Sequence, residues 1–259
     1  MIDVCDLTKT YGGIEAIQSL NFQIRKGEVV GFLGPNGAGK STTMKIITGF
    51  MAPTSGKAMV CGFDVFENPI EVKKRIGYLP ETPPVYGDMT VESYLRYVAE
   101  LKLVEKQKIS KQVDHAIEKT NLGNVKKRMI QNLSKGFRQR VGIAQALVSD
   151  PEVLILDEPT VGLDPKQVAE IRDLIQELRG QHTIILSTHI LPEVQATCER
   201  IIIISKGRIV AQDTLENLTH IKQGVQKVSL KIRKSSGQSS QAQNILQQIP
   251  GILKVQNMF

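Results

Sequence analysis

The sequence predicts an α/β fold in which helices cover a mainly parallel sheet. Strand-like apolar segments alternate with helical ones between residues 153 and 205, a pattern typical of parallel sheets. Residues 28–33 form a largely apolar segment with β-branched side chains, as expected for a buried strand. Residues 91–119 lack Gly and Pro and carry apolar residues, among them Leu101 and Leu103, at near-helical spacing, which predicts a helical region.

The other elements follow in chain order from the same patterns. Predicted strands are 21–25, 56–63, 76–79, 153–156, 183–186 and 200–205. Predicted helices are 41–49, 68–75, 165–179 and 191–197. Asp164 is suited to cap the helix that begins at 165, and Pro165 is suited to its first position.

Changes in composition divide the chain into a main domain, 1–220, and a C-terminal accessory subdomain, 221–259. About 85–145 is expected to be an inserted helical subdomain, and a proline-rich loop at 80–84 precedes it. The tail predicts a small β-α-β extension, with strands 225–233 and 252–255, a linker-like stretch 235–240 and a helix 241–248. Because the tail stops directly after a strand, its completeness is open.

Composition limits the class of protein. With 259 residues and 41% hydrophobic side chains, the chain can bury a substantial core, which excludes disorder of the whole. The formal charge of +7 fits a nucleic acid, an anionic membrane surface, a phosphate-rich ligand or plain solvated surface charge. Three widely spaced cysteines indicate no disulfide framework and a reducing cytosol.

Targeting signals are not evident in the sequence. The N-terminus lacks the basic start and apolar run of a signal peptide, and no apolar stretch approaches the ~20 residues of a membrane helix. We therefore expect a cytoplasmic protein that reaches a membrane only through another chain or through its surface.

The strongest functional signal is a glycine-rich loop between an apolar strand and a helix. It matches the phosphate-loop pattern at every fixed position and consists of Gly34, Pro35, Asn36, Gly37, Ala38, Gly39, Lys40 and Ser41. Glycines let backbone N–H groups converge on phosphate oxygens, and the helix start adds a positive dipole. Lys40 is expected at the β- and γ-phosphates, Ser41 on Mg²⁺ and Thr42 on a phosphate. The loop thus predicts binding of ATP with Mg²⁺.

A second signal is the apolar strand 153–156, which ends in Asp157 and Glu158. This order puts two carboxylates at the C-terminal edge of the sheet, where the ligands of such sheets bind. We expect Asp157 to hold Mg²⁺, directly or through water. Glu158 is expected to act as the general base that activates the attacking water.

These motifs together resemble the ATP-binding subunit of ABC transporters. The resemblance covers about residues 1–220 and rests on an ordered set of segments: Tyr11, 34–41, 78–81, 133–137, 157–158, 162–164 and 188–189. The ordered set identifies this family more specifically than any single segment does, because unrelated nucleotide-binding families share the phosphate loop. It implies a P-loop NTPase core with an N-terminal antiparallel β subdomain.

The resemblance also implies roles for individual residues. Tyr11 would stack on adenine, and His189 would contact the γ-phosphate and help to orient water. Ser134, which is placed to cap a helix, and Gly136 would bind the γ-phosphate held by a second subunit. Asp164 would lie at the seam between the two subunits.

Two positions depart from the family pattern. Glu81 stands where glutamine is usual, and a carboxylate there can still ligate Mg²⁺. Lys135 and Phe137 replace a glycine and the glutamine of the usual signature. Lys135 either adds positive charge near the phosphates or points to solvent. Both departures resemble a bacterial exporter-type subgroup, which often has a C-terminal extension.

The function implied is an ATPase subunit that dimerises around two ATP molecules and drives a separate membrane permease. The second subunit would be a copy of this chain or a paralogue, and no specific nucleic acid partner is expected. The protein would lie on the inner face of the cell membrane, held by its permease. Alternatives are a soluble ABC-type ATPase that acts on nucleic acid or the ribosome, and a non-catalytic regulatory subunit.

Overall fold

A computed structural model describes residues 1–221, of which Met1–Thr219 form one compact unit. The elements expected at 225–233, 235–240, 241–248 and 252–255 lie outside the described residues.

Strands and helices alternate along most of this unit. The strands are β1 (Ile2–Tyr11), β2 (Ile14–Ile24), β3 (Val29–Leu33), β4 (Ser55–Val60), β5 (Phe63–Asp64), β6 (Ile76–Leu79), β7 (Val153–Asp157), β8 (Thr183–Thr188), β9 (Arg200–Ser205) and β10 (Arg208–Thr214). The helices are α1 (Lys40–Ile47), α2 (Pro69–Arg75), α3 (Val91–Leu101), α4 (Ile109–Lys119), α5 (Lys135–Leu147), α6 (Pro165–Leu178), α7 (Leu191–Thr197) and α8 (Leu215–Ile221). Short 3-10 turns lie at Gly123–Val125 and Ile130–Asn132.

The strands form two sheets. A six-stranded sheet has the order β10-β9-β3-β8-β7-β6, and all its pairs are parallel except the edge pair of β9 and β10. A four-stranded antiparallel sheet has the order β2-β1-β4-β5. The predicted α/β class, with its parallel core and N-terminal antiparallel part, is confirmed.

Apolar side chains on the two faces of the six-stranded sheet form two separate cores. Along β7, Leu154 and Leu156 pack among the helices α3 to α6, whereas Val153 and Ile155 pack towards α1 and the antiparallel sheet. Successive side chains of a strand point to opposite faces. Burial on both faces therefore explains the continuous apolar runs.

Local side chains fix where the helices begin. Thr90, Ser134 and Asp164 cap α3, α5 and α6, each accepting a hydrogen bond from the backbone N–H three residues on. Pro165 occupies the first position of α6. The predicted caps at Ser134 and Asp164 are confirmed.

The predicted helical region 91–119 consists of two helices with a turn between them. α3 ends at Leu101, the chain turns, and α4 begins at Ile109. Leu103 has a left-handed backbone with φ 58°, and Leu101 and Leu103 are both exposed. A non-glycine residue in this conformation ends a helix, and hydrophobic spacing does not report it.

Two further elements were not predicted. β10 pairs with β9 at the edge of the sheet, where about half of its residues are exposed; α8 follows it directly. An edge strand that buries little surface carries a weak apolar pattern. Over residues 1–221, the structure contains no helix with the length and apolar character needed to cross a bilayer.

Candidate functional site

The phosphate loop connects β3 to α1. Gly37 and Gly39 adopt positive φ angles of 77° and 109°, which other residues reach only with strain. A Cβ atom on Gly34 would lie 2.4 Å from the carbonyl oxygen of Ile204, and one on Gly39 would lie 2.8 Å from that of Ala16. The glycines are thus required by backbone geometry and close packing.

The loop leaves the start of α1 free to bind an anion. No side chain caps this helix, and its first turn contains no acidic residue. A Cβ atom on Gly37 would meet nothing within 4 Å, so the loop is open on that side. Unpaired N–H groups and the helix dipole together favour phosphate. The described residues therefore fit a nucleotide phosphate.

Lys40 is almost fully buried beneath the loop. Its ammonium donates hydrogen bonds to the carbonyl oxygens of Gly34, at 2.8 Å, and Pro35, at 3.3 Å. It also lies 3.3 Å from Oε1 of Glu158, and both side chains of this ion pair are less than 10% exposed. A buried charge needs such partners, so loop and acid hold the cation between them.

Asp157 is the last residue of β7, and its carboxylate is buried. Oδ1 accepts a hydrogen bond of 2.7 Å from the hydroxyl of Ser187 on the neighbouring strand β8. The hydroxyl of Tyr78 is close enough to be affected: burial and the negative charge of Asp157 raise its pKa well above the usual range. Tyr78 therefore stays neutral at physiological pH.

Glu158 follows directly and breaks the strand. Its backbone is left-handed, with φ 50°, and its N–H donates to the carbonyl oxygen of Ser187 at 2.8 Å. Such a conformation costs roughly 1–3 kcal/mol and persists only where neighbours determine it. The strain turns the Glu158 side chain from the sheet towards the phosphate loop.

His189, just past the end of β8, completes the group. Its Nδ1 lies 3.1 and 3.0 Å from the two carboxylate oxygens of Glu158. The imidazole is 38% exposed, whereas the carboxylate is buried. Glu158 is thus held between Lys40 and His189, so three predicted catalytic residues are in contact.

A cleft of about 330 Å³ opens beside these residues. Its lining includes Asn36, Gly37, Gly39, Lys40, Ser41, Thr42, Glu81, Glu158 and His189, together with Ala16 and Val161, which the sequence did not single out. The volume is at the lower end of small-molecule sites. Folding thus gathers residues that are up to 173 positions apart, from Ala16 to His189, around one space.

The predicted magnesium ligands are only partly gathered. Ser41 and Glu81 line the cleft, whereas Asp157 lies outside its lining and gives Oδ1 to Ser187. Within residues 1–221, no group of three His, Cys, Asp or Glu side chains is placed to hold a metal ion. Mg²⁺ is often held by one or two protein ligands with phosphate oxygens and water, so these donors fit a nucleotide-bound ion.

Tyr11 lies apart from this cleft. It ends β1, its ring is half exposed, and its hydroxyl contacts Sδ of Met51 at 2.9 Å. The ammonium of Lys9 lies 5.4 Å from the centre of the ring. The ring is therefore available to a flat partner at the tip of the β1–β2 hairpin.

Ser134, Gly136 and Asp164 also lie outside the lining of the cleft. They meet where α5 and α6 begin: a Cβ atom on Gly136 would lie 2.5 Å from Oε1 of Gln167. Lys135 is exposed and lies outside the lining of the cleft, and its Nζ would lie 1.9 Å from a Cβ atom on Gly162. The turn that contains Asp164 and the start of α5 therefore form one surface.

The sequence reasoning missed Thr160 and Glu193 behind the cleft and included Thr188 only as part of the segment 188–189. Thr160, two positions after Glu158, and Thr188, one before His189, both donate hydrogen bonds to the carboxylate of Glu193. The signal that could have found this contact is Glu193, an acid four residues after His189 in the first turn of the short helix α7. Such an acid is common as a helix-start residue, so the sequence alone gave no reason to choose it.

Comparison with known proteins agrees with this geometry. Residues 17–161 match the family model described as ABC transporter. The bacitracin transport ATP-binding protein BcrA of Bacillus licheniformis is 37% identical over 220 residues, which are 84% of this chain and 71% of that protein.

Two solved structures share the fold. The cbiO1 protein of Clostridium perfringens, described as part of the ABC transporter complex cbiONQ, superposes with a TM-score of 0.76 at 31% identity, over 86% of this chain and 91% of that one. The ATP-binding cassette MJ0796, a dimer in a post-hydrolysis state with ADP and Pi, gives 0.76 at 26% identity, over 83% and 99%. The family match and the site geometry together establish that this chain belongs to the ABC transporter family, as an ATP-binding, ATP-hydrolysing subunit.

Proposed function

We propose that the chain hydrolyses ATP at the cleft beside the phosphate loop and so drives export through a separate membrane permease. The observation that carries this proposal is the position of Glu158. Its carboxylate lies 3.3 Å from Lys40 and 3.0 Å from His189, beside a loop built for phosphate.

Glu158 is the general base in this mechanism. In the structure, the ammonium of Lys40 pairs with Oε1 of Glu158. When Lys40 turns to the β- and γ-phosphates instead, this oxygen becomes available. That oxygen accepts the proton of the attacking water. His189 contacts both carboxylate oxygens, so it orients the base and presents its other ring nitrogen towards the γ-phosphate.

The nucleotide is held from three sides. Backbone N–H groups of the phosphate loop and the hydroxyl of Thr42 bind phosphates, and Tyr11 stacks on the adenine. Mg²⁺ bound with ATP would neutralise charge on the phosphate oxygens. Ser41 and Glu81 would ligate it, and Asp157 would reach it through water.

A second ATP-binding subunit completes the site. Ser134, Gly136 and Asp164 form a surface away from their own cleft, which suits them to the γ-phosphate and seam of a partner. The dimeric state described for MJ0796 with ADP and Pi supports this arrangement. The partner is a copy of this chain or a paralogue, and Lys135, beside Gly162, adds positive charge to the same surface.

The permease provides the link to the membrane. The cbiO1 relative is described as part of a transporter complex, which supports a location on the cytoplasmic face of the membrane through such a partner. The loop 80–84 and the helical region 85–145 would form the coupling surface. None of the relatives named above is described as acting on nucleic acid.

The first test is the Glu158→Gln variant. We expect ATP binding to persist and phosphate release to fall roughly 10²–10⁴-fold, the usual contribution of a general base. Gln keeps an oxygen for Lys40, so the buried cation retains a partner. The measurement is phosphate release by the chain reconstituted with its permease, beside an ATP-binding isotherm.

Glu152→Gln is the matched control, because Glu152 is half exposed and precedes the other end of β7. It should leave both measurements unchanged. Near-normal turnover of Glu158→Gln would remove Glu158 from the role of base.

A further inference from the structure

The carboxylate of Glu193 joins the two segments that carry the catalytic pair. Oε1 accepts a hydrogen bond of 2.5 Å from the hydroxyl of Thr160, and Oε2 accepts one of 2.9 Å from the hydroxyl of Thr188. Thr160 lies two residues after Glu158, and Thr188 directly precedes His189. Each carboxylate oxygen therefore contacts one side of the site.

Both hydroxyls are buried, and the bridge satisfies them. Thr160 is 8% exposed and Thr188 is fully buried; buried hydroxyls without a partner are costly. Thr188 also accepts a hydrogen bond of 3.2 Å from the backbone N–H of Ile190. The orientation of this hydroxyl is thus determined by Glu193 on one side and by the turn after His189 on the other.

The segments need such a bridge because regular sheet pairing ends at this point. β7 ends at Asp157 and β8 ends at Thr188, and the left-handed backbone of Glu158 turns the chain sharply. Beyond the backbone hydrogen bond from Glu158 N–H to the carbonyl oxygen of Ser187, the relative position of the two turns depends on side chains. A bidentate carboxylate holds both turns at a fixed separation.

Glu193 itself stands on a firmly packed element. It lies in the first turn of α7, and the next residue, Val194, is fully buried against β3. A Cβ atom on Gly31 of β3 would lie 2.2 Å from Cγ1 of Val194, so helix and strand are in close contact. The position of the carboxylate is therefore fixed relative to β3, the strand that leads into the phosphate loop.

We propose that Glu193 is a positioning residue for ATP hydrolysis, which keeps Glu158 and His189 in register with the phosphate loop. Glu193 lies outside the lining of the cleft, so it acts through Thr160 and Thr188 and not on the substrate. This inference rests on the proposed roles of Glu158 and His189 in hydrolysis.

The test is steady-state phosphate release by the full chain with Glu193→Ala, measured at a protein concentration where turnover per subunit no longer rises. We expect kcat to fall roughly 10–100-fold, because small misplacements of a catalytic group cost up to about 10²-fold. The KM for ATP should change less than about threefold, because the phosphate loop is untouched.

Glu193→Gln should restore part of the loss. The amide keeps one acceptor oxygen, but its NH₂ group offers a donor where Thr188 needs an acceptor. We expect kcat between those of Glu193→Ala and the unmodified chain. Gln195→Ala, at an exposed position on the same helix, is the matched control and should leave kcat and KM unchanged.

Thr160→Val separates positioning from a general effect on folding. The substitution keeps the shape of the side chain and removes the hydroxyl. Combined with Glu193→Ala, it should add little further loss of kcat, because both changes break the same hydrogen bond. Additive losses would contradict the bridge.

The inference is overturned if Glu193→Ala has the same kcat as Gln195→Ala. It is also overturned if Glu193→Gln loses as much kcat as Glu193→Ala, or if Glu193→Ala loses ATP binding in parallel with kcat. The Glu158→Gln variant is run beside them. If Glu158→Gln keeps normal turnover, the proposed role of Glu158 fails. If Glu158→Gln loses turnover but the Glu193 variants keep normal turnover, this inference alone fails.

Discussion

At the scale of single residues, carboxylates and amines have roles set by their surroundings. Glu158 is strained, buried and paired with a lysine and a histidine, whereas Glu71 is solvent-exposed and pairs within its own helix. The pair at Glu158 stabilises a specific geometry, while exposed pairs such as that of Glu71 contribute little. The same residue type thus lies strained and paired beside the phosphate loop in one place and on the surface in another.

Lys102 is a partly buried amine outside the site, and the change in its protonation predicts that stability depends on pH. Its ammonium donates to the carbonyl oxygens of Lys73, at 2.9 Å, and Ile76, at 2.7 Å. Burial, with a smaller effect of Lys73, lowers its pKa to about 8. Between pH 8 and 10.5 the unfolded chain therefore binds more protons at this position than the native protein does.

Stability should consequently rise with pH in that interval. Relative to a Lys102→Met variant, the free energy of unfolding of the unmodified chain should increase by roughly 1–3 kcal/mol from pH 8 to 10.5. Denaturant unfolding of both proteins across this range measures the difference. Parallel curves would show that Lys102 titrates alike in both states.

At the scale of elements, close backbone contacts set the position of the helices on the sheet. A Cβ atom on Gly77 of β6 would lie 2.0 Å from the carbonyl oxygen of Ala146 on α5. The side chain of Gln145 adds a hydrogen bond of 2.6 Å to the carbonyl oxygen of Tyr78. α5, which begins beside Ser134, is therefore seated on the strand that leads to Glu81.

Gly77→Ala should force these elements apart. We expect a destabilisation of roughly 1–3 kcal/mol, typical of overpacking, because the obstacle is backbone. Gly123→Ala is the control: an added Cβ atom would meet nothing within 4 Å there, so the change should stay within about 0.5 kcal/mol. Denaturant midpoints of the two variants, compared with the unmodified chain, check this; equal midpoints would contradict the packing argument.

At the scale of the whole molecule, the site residues lie on two separate surfaces. The cleft carries the phosphate loop, Glu158 and His189, whereas Ser134, Gly136 and Asp164 lie where α5 and α6 begin. In a symmetric dimer, each surface meets the other one of the partner. This arrangement predicts that a subunit damaged only in the cleft and a subunit damaged only on the other surface together form one intact site.

Mixed subunits test that arrangement when the second subunit is a copy of this chain. Lys40→Ala damages the cleft, and Ser134→Glu places negative charge on the other surface. Each variant alone should be nearly inactive. An equal mixture should recover about a quarter of normal phosphate release, because half of the dimers then contain one intact site of two.

The control mixture is Lys40→Ala with Glu158→Gln. Both changes damage the cleft, so no dimer of these chains contains an intact site, and no recovery is expected. Equal recovery in the two mixtures would contradict the composite site.

Much of the fold was predictable because its signals are local. The apolar runs of β3 and β7, the glycine loop before Lys40 and the caps at Ser134 and Asp164 all depend on residues within a few positions of one another. The break after Leu101 was not predictable, because a left-handed leucine at 103 leaves the hydrophobic spacing intact. β10 was missed since its edge position buries little apolar surface.

The sequence by itself determined the class of sheet, the phosphate loop and the acids that follow β7, because backbone conformation and strand burial are encoded over short stretches. Only the tertiary structure decided that Lys40 pairs with Glu158, that Lys135 packs against Gly162 and that Glu193 bridges Thr160 and Thr188. These contacts join residues from different strands and turns. Side-chain partners of that kind depend on how the elements pack, which no local pattern specifies.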